Sequence, residues 1–217
     1  MSKAKKILNI FLDPVSVFKQ LREQKDWVFP LVIIIAVSII STILLIPILS
    51  SPQYIAELEQ DIGETMGEEM ESYMMIGTLV GSVVGGLITI LGYLLLGFFL
   101  WLIGKFADKE YTFTHTFSAA TYVGIVGSLG TLLYTLLANL QFDLEAQINL
   151  ALIFPNIEGL MGTIVENFNI FGFWQAILVA LAISVFYQVK KRNSLLFILG
   201  LWVLINIGQY LIFINLY

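Results

Sequence analysis

Residues 28–49 read VFPLVIIIAVSIISTILLIPIL, a run without a single charged side chain. Twenty-two helical residues rise about 33 Å, enough to cross a hydrocarbon core of about 30 Å. The run is continuously apolar, with none of the alternation of a barrel strand, and inside lipid only its own helical hydrogen bonds can satisfy its backbone. Four more charge-free stretches of similar or greater length follow, at 74–104, 116–138, 170–189 and 194–216. The chain has 217 residues, of which 58% are hydrophobic and 12% charged, and its mean hydropathy is +0.88. Soluble domains carry about 25% charged residues. The expected fold is therefore all-α: a polytopic integral membrane protein, a five-transmembrane-helix bundle preceded by a short amphipathic helical segment. The expected division is a cytoplasmic amphipathic segment over 1–27 and a membrane domain over 28–217.

Orientation follows from where the basic residues fall. Lys3, Lys5, Lys6, Lys19, Arg22 and Lys25 precede the first span. Lys105 and Lys109 separate the second and third, and Lys190, Lys191 and Arg192 separate the fourth and fifth. These account for all 11 Lys and Arg; the intervening segments 50–73 and 139–169 hold none and carry 11 of the 16 acids. Cytoplasmic loops retain Lys and Arg, so five spans with the N-terminus cytoplasmic and the C-terminus outside the cell membrane satisfy the rule throughout. The first apolar run is longer than the roughly 7–15 residues of a signal-peptide core, and no A-x-A site follows it, so it is expected to remain as a span.

Ahead of that span, Asp13 and Pro14 separate two short helical patterns. Asp13 is positioned to cap the second, with Pro14 at its first position. Ile7, Phe11, Val15 and Phe18 recur at helical spacing and form a stripe facing away from Lys3, Lys6, Lys19 and Arg22. A basic amphipathic segment beside a span is expected to lie in the headgroup plane.

Signatures of chemistry are missing from the sequence. There is no G-x-x-x-x-G-K-[ST], G-x-S-x-G, H-E-x-x-H or G-x-G-x-x-G following a strand. No ionisable residue lies well inside a span, which argues against proton relays, ion-coupled transport and intramembrane proteolysis. Without Cys there is no disulfide or thiolate chemistry, and a single His makes a transition-metal site an unexpected feature. His115, with Asp108 and Glu110 nearby, reads as an interfacial residue and not a general base. No enzyme activity and no cofactor are expected. Glu57, Glu59, Asp61, Glu64, Glu68, Glu69 and Glu71 crowd the acidic outer segment, with Glu57, Asp61 and Glu64, and again Glu64, Glu68 and Glu71, at helical spacing, yet without the ligand spacing and central Gly of an EF-hand.

Two polar or small-residue patterns stand out within the spans. Gly77, Gly81 and Gly85 repeat every four residues on the second span, and Ala120, Gly124 and Ser128 repeat likewise on the third. Such strips let helices approach closely, so these two are expected to pack on one another, ahead of a homodimer seam or pore lining. Asn206 and Gln209 share a face of the fifth span, with Gln175 and Gln188 on the fourth as candidate partners, together a candidate polar seam.

The sequence resembles the Yip1 domain family in its compact prokaryotic branch. The resemblance rests on "FLDPVSVFKQL" and "WVFPL" at the first span, "EYTFTHTFSAATYVG" entering the third, and "FNIFGFWQAILVALAISVFYQV" with a basic turn before the fifth. It implies a five-helix integral membrane protein with a cytosolic N-terminus. Eukaryotic members of such a family are adaptors of vesicle traffic that associate with small GTPases and with one another. The sequence contains no "DLYGP" segment and 27 residues precede its first charge-free run, so small-GTPase binding is not carried over. Expected partners are the lipid bilayer and other membrane proteins or a second copy, and no nucleic acid. Two functions follow as expectations: a scaffold or adaptor acting through helix packing and the cytoplasmic face, or a conduit for lipid or uncharged solute along the glycine-rich, amide-lined seam.

Overall fold

The computed structural model describes residues 1–62, 70–109, 111–141, 149–154, 156–157 and 159–216. Among them every regular element is helical. Helices α1 (Lys3–Leu12) and α2 (Pro14–Glu23) form the N-terminal pair. Ser2 caps the first, its hydroxyl accepting from the Lys5 amide at 3.3 Å, and Asp13 caps the second, accepting from the Ser16 amide at 3.3 Å. Pro14 occupies the first position of α2, where a missing N–H costs nothing. Then follow α3 (Val28–Leu49), α4 (Pro52–Ile62), α5 (Met70–Phe106), α6 (Phe113–Gln141), a 3-10 turn at Leu150–Leu152, α7 (Gly159–Asn167), α8 (Ile170–Tyr187) and α9 (Lys191–Leu216).

Among the described residues, five helices are long and apolar enough to cross a membrane: Val28–Leu49, Ile76–Phe106, Phe113–Gln141, Ile170–Tyr187 and Lys191–Ile212. The chain is thus an all-α, multi-pass membrane protein. The fourth span stops short of the expected residue 189 because Gln188 takes a left-handed conformation, φ 56 and ψ 33, which ends the helix. Helices α4 and α7 are additions within segments that read as loops. Of the acidic residues singled out in the sequence, Glu64, Glu68, Glu69 and Glu110 lie outside the described residues.

The chain divides into two compact units. Unit 1 comprises Met1–Leu31, Tyr93–Gly127 and Ile148–Tyr217. Helix α2 packs on α8, α8 on α9, and α7 on α9. Its core joins Ile10, Val17, Phe18 and Leu21 of the N-terminal pair to Leu100 of α5, Tyr122 and Val123 of α6, and Leu178, Ile183 and Phe186 of α8. Gly97 brings α5 close to α6: a Cβ added there would lie 2.9 Å from the Phe117 Cα.

Unit 2 comprises Val32–Gly92 and Ser128–Gln147. Among its described residues, those buried are mostly small or hydroxylated: Ser41, Ile48, Ser128, Thr135 and Ala138 among them. Val32, Ile39 and Ile43 of α3 and Val83 and Leu87 of α5 are more than half exposed. A span can leave such side chains outward because lipid tails are as apolar as they are.

Candidate functional site

The N-terminal helices converge on a buried charge cluster in unit 1. Lys6 lies one helical turn before the fully buried Ile10, and that shared face carries its ammonium into the core. Lys6 Nζ donates to Asp26 Oδ2 at 2.6 Å, and the two side chains are only 6% and 9% exposed. The Tyr122 hydroxyl on α6 donates to the same oxygen at 2.9 Å. The Asp26 amide donates to Ser118 Oγ at 3.0 Å, and that hydroxyl donates in turn to the Thr114 carbonyl at 2.7 Å. One carboxylate therefore ties α1 to α6 at the entry to the first span. Charged groups this deep persist only when paired and hydrogen-bonded, as these are.

Further contacts fix the pair in place. Arg22 Nη1 donates to the Val185 carbonyl at 3.4 Å, bringing a cation to the C-terminal end of α8, where its dipole favours positive charge. Lys3 Nζ stands 5.5 Å from the centroid of Phe29. The stripe of Ile7, Phe11, Val15 and Phe18, expected in the headgroup plane, turns inward instead. Phe18 is fully buried, and Ile7, Phe11 and Val15 are half-buried against the same core. Lys6, expected on the outward face, is buried too. The outward apolar residues of α1 are Leu8 and Leu12, 59% and 72% exposed, beside the exposed Lys5; Lys19 and Lys25 are exposed as well.

The amides of the fifth span meet an unanticipated partner. Asn167, the last residue of α7, donates from Nδ2 to Asn206 Oδ1 at 3.1 Å and to Gln209 Oε1 at 3.0 Å. Asn206 Nδ2 donates to the Trp202 carbonyl at 2.8 Å. Gln175 instead reaches the Val123 carbonyl of α6 at 3.4 Å and lies over Gly127, while Gln188 caps α8. The four residues of the candidate seam thus serve three separate packing roles within unit 1.

The small-residue strips are also placed differently from expectation. Gly77, Gly81 and Gly85 are exposed, and among the described residues nothing lies within 4 Å of a Cβ added at any of them. Among the described glycines of α5, the one that meets α6 closely is Gly97, which lies outside the repeat. Ala120, Gly124 and Ser128 are buried, and the Gly124 carbonyl accepts from the Tyr93 hydroxyl at 3.3 Å. Gly81 and Gly85 line an open groove of about 330 Å³ within unit 2, together with Ser38, Ser41, Thr42, Ser82 and Thr135.

The sequence matches a family model, the Yip1 domain, over residues 8–212. No curated protein and no solved structure matches it.

Proposed function

The chain belongs to the Yip1 domain family, and from that premise we propose that it acts as an integral membrane scaffold or adaptor, not as an enzyme. One observation carries this reading: the N-terminal helix pair is built into the core of unit 1 and locked by the Lys6–Asp26 pair. A fixed surface follows, bearing Lys5, Lys19 and Lys25 with the exposed Leu8 and Leu12, and Lys105 and residues 190–192 of the same unit are exposed too. Each Lys or Arg near an anionic leaflet contributes about 1 kcal/mol of attraction, and the two leucines suit shallow insertion beside it. In this reading the N-terminus is cytoplasmic, the C-terminus is outside the cell membrane, and the partners are lipid and other membrane proteins.

The orientation has a direct test, since the chain has no Cys. A cysteine placed at Ser51 should react with an impermeant thiol reagent from outside, and one at Asn193 only after the membrane is opened. Reaction of both from outside contradicts the orientation.

A conduit is the second reading, favoured by the open groove along Gly81 and Gly85. Liposomes holding the purified protein distinguish the two. The scaffold should give no lipid scrambling or solute flux above empty vesicles, and a photo-crosslinking residue at Leu12 should yield adducts with lipid or a membrane protein in cells. Flux that Gly81→Leu abolishes would replace the scaffold with the conduit.

A further inference from the structure

Helix α1 has two apolar faces, and one of them is bare. Lys6 and Ile10 are buried in the core of unit 1, while Lys5, Leu8 and Leu12, at spacings of 3 and 4, share the opposite, exposed face. Leucines that stay 59% and 72% exposed gain by leaving water, so this face is suited to a partner that offers apolar surface beside a counter-charge for Lys5.

Two contacts set the level of that face. The Lys6 ammonium pairs with Asp26, two residues ahead of the start of α3, and the Lys3 ammonium stands over the ring of Phe29 in the first turn of the same span. The core that holds Ile10 also contains Leu100, Ala119 and Ile183, all of which belong to charge-free spans. A helix of 10 residues is about 15 Å long, so α1, held at these points, stays at the membrane entry and cannot rise into the cytosol. Its bare face borders lipid headgroups.

Charge selects among the headgroups. Eight of the 11 Lys and Arg are exposed, all of them in unit 1; Lys6, Arg22 and Lys109 are the other three. Among the described residues none of the eight is paired with an acid, and the exposed acids of the same segments are Asp13, Glu23 and Asp108. Orientation in the membrane asks only that Lys and Arg stay inside and makes little demand on Asp and Glu, yet 11 of the 16 acids lie in the two segments of the other side. The excess of positive charge is therefore left for an external anion. The same pairing of cation and bare apolar side chain recurs at the end of α5, where Phe106 is 83% exposed beside Lys105, whose ammonium lies 5.4 Å from the centroid of Trp101.

We propose that the outward face of α1, Lys5 with Leu8 and Leu12, binds anionic phospholipid in preference to neutral phospholipid, its leucines among the upper acyl carbons and Lys3 and Lys5 on the headgroup phosphates. This names the partner of the surface described above and rests on the reading that the surface is cytoplasmic. It also reverses the sequence expectation, because the face that meets lipid is not the stripe of Ile7, Phe11, Val15 and Phe18.

The test uses the purified full chain in vesicles of equal parts dioleoylphosphatidylcholine and dioleoylphosphatidylglycerol. A photo-crosslinking residue is placed at Leu12 or, for comparison, at Leu204, which is 65% exposed on α9 about 18 Å from the basic turn. The two lipids share their acyl chains, so the ratio of their adducts, read by mass spectrometry, reports the composition beside the probe. Phosphatidylglycerol adducts should exceed phosphatidylcholine adducts about fivefold at Leu12, the factor that one Lys near an anionic surface supplies, and should match them at Leu204. Lys3→Gln combined with Lys5→Gln, both at exposed positions, should bring the ratio at Leu12 to less than half. An even ratio at Leu12, the same excess at Leu204, adducts mainly with a second copy of the chain, no adduct at all, or a double variant that keeps the parent's ratio would each overturn the proposal. The thiol-accessibility and flux experiments do not depend on this ratio, so an even ratio removes the lipid preference and leaves the scaffold reading standing.

Discussion

Replacing Asp26 with Leu should free the N-terminal helix pair from the rest of unit 1. The substitution leaves the Lys6 ammonium, whose side chain is 6% exposed, without its counter-charge, and leaves the Tyr122 hydroxyl without its acceptor. Breaking a buried pair from one side costs about 3–5 kcal/mol, because an uncompensated charge stays in a medium that cannot solvate it. At 1.4 kcal/mol per factor of ten, the detached population rises by about two orders of magnitude or more. Trypsin should then cut at Lys19 or Arg22 in the variant under conditions where the parent chain resists. The triple change Lys6→Met, Asp26→Leu, Tyr122→Phe removes all three polar partners together and should recover most of the resistance, since apolar replacements of buried pairs are often neutral or better. Equal cleavage of the parent and Asp26→Leu, or a triple variant no more resistant than the single, contradicts this account of the latch.

The same pair shows what the sequence reveals and what it hides. Spans are legible because the bilayer imposes a length and a composition that no loop in this chain meets, so 28–49 and its four counterparts stand out residue by residue. Lys and Arg sorted by segment look like surface charge, which conceals that Lys6 shares a helical face with Ile10 and enters the core. The signal was present in that four-residue spacing, but Asp26, twenty residues on, becomes its partner only through tertiary packing. Stripe assignment failed for a related reason. Amphipathic periodicity says that Phe18 and its neighbours seek an apolar surface, and both lipid and α8 provide one. Asn167 carries no signal in the sequence because it sits between spans, where an amide is ordinary, yet the end of α7 brings it to Asn206 and Gln209.

The latch also bears on how a scaffold of this kind would work. Its N-terminal helices are not a tethered arm that orders on contact, with the ordering cost such binding carries. They are part of the folded core, so the exposed basic and apolar residues keep fixed spacing before any partner arrives. Preorganisation of this sort lowers the entropic cost of association. A variant that detaches the pair should therefore weaken crosslinking at Leu12 even though Leu12 itself makes no contact in the latch.

Gly97→Leu should abolish recovery of folded protein, whereas Gly81→Leu should leave it unchanged. Both residues are glycines on α5, and the repeat pattern singles out only the second. At Gly97 an added Cβ would meet the Phe117 Cα at 2.9 Å and the Phe117 side chain at 3.2 and 3.3 Å. Backbone cannot rotate away as a side-chain end can, so α5 and α6 must separate, and with them the contacts of Leu100, Ala119 and Tyr122 in the core. Even Gly97→Ala should cost on the order of 1–3 kcal/mol by overpacking, and Leu adds three more carbons at the same point. At Gly81 the described structure offers open space, and leucine there adds apolar surface to a groove already bordered by lipid-compatible side chains. Size-exclusion profiles of detergent-extracted variants read the difference as the height of the monodisperse peak. A normal profile for Gly97→Leu with aggregation of Gly81→Leu would mean that the close helix contact lies along the glycine repeat after all.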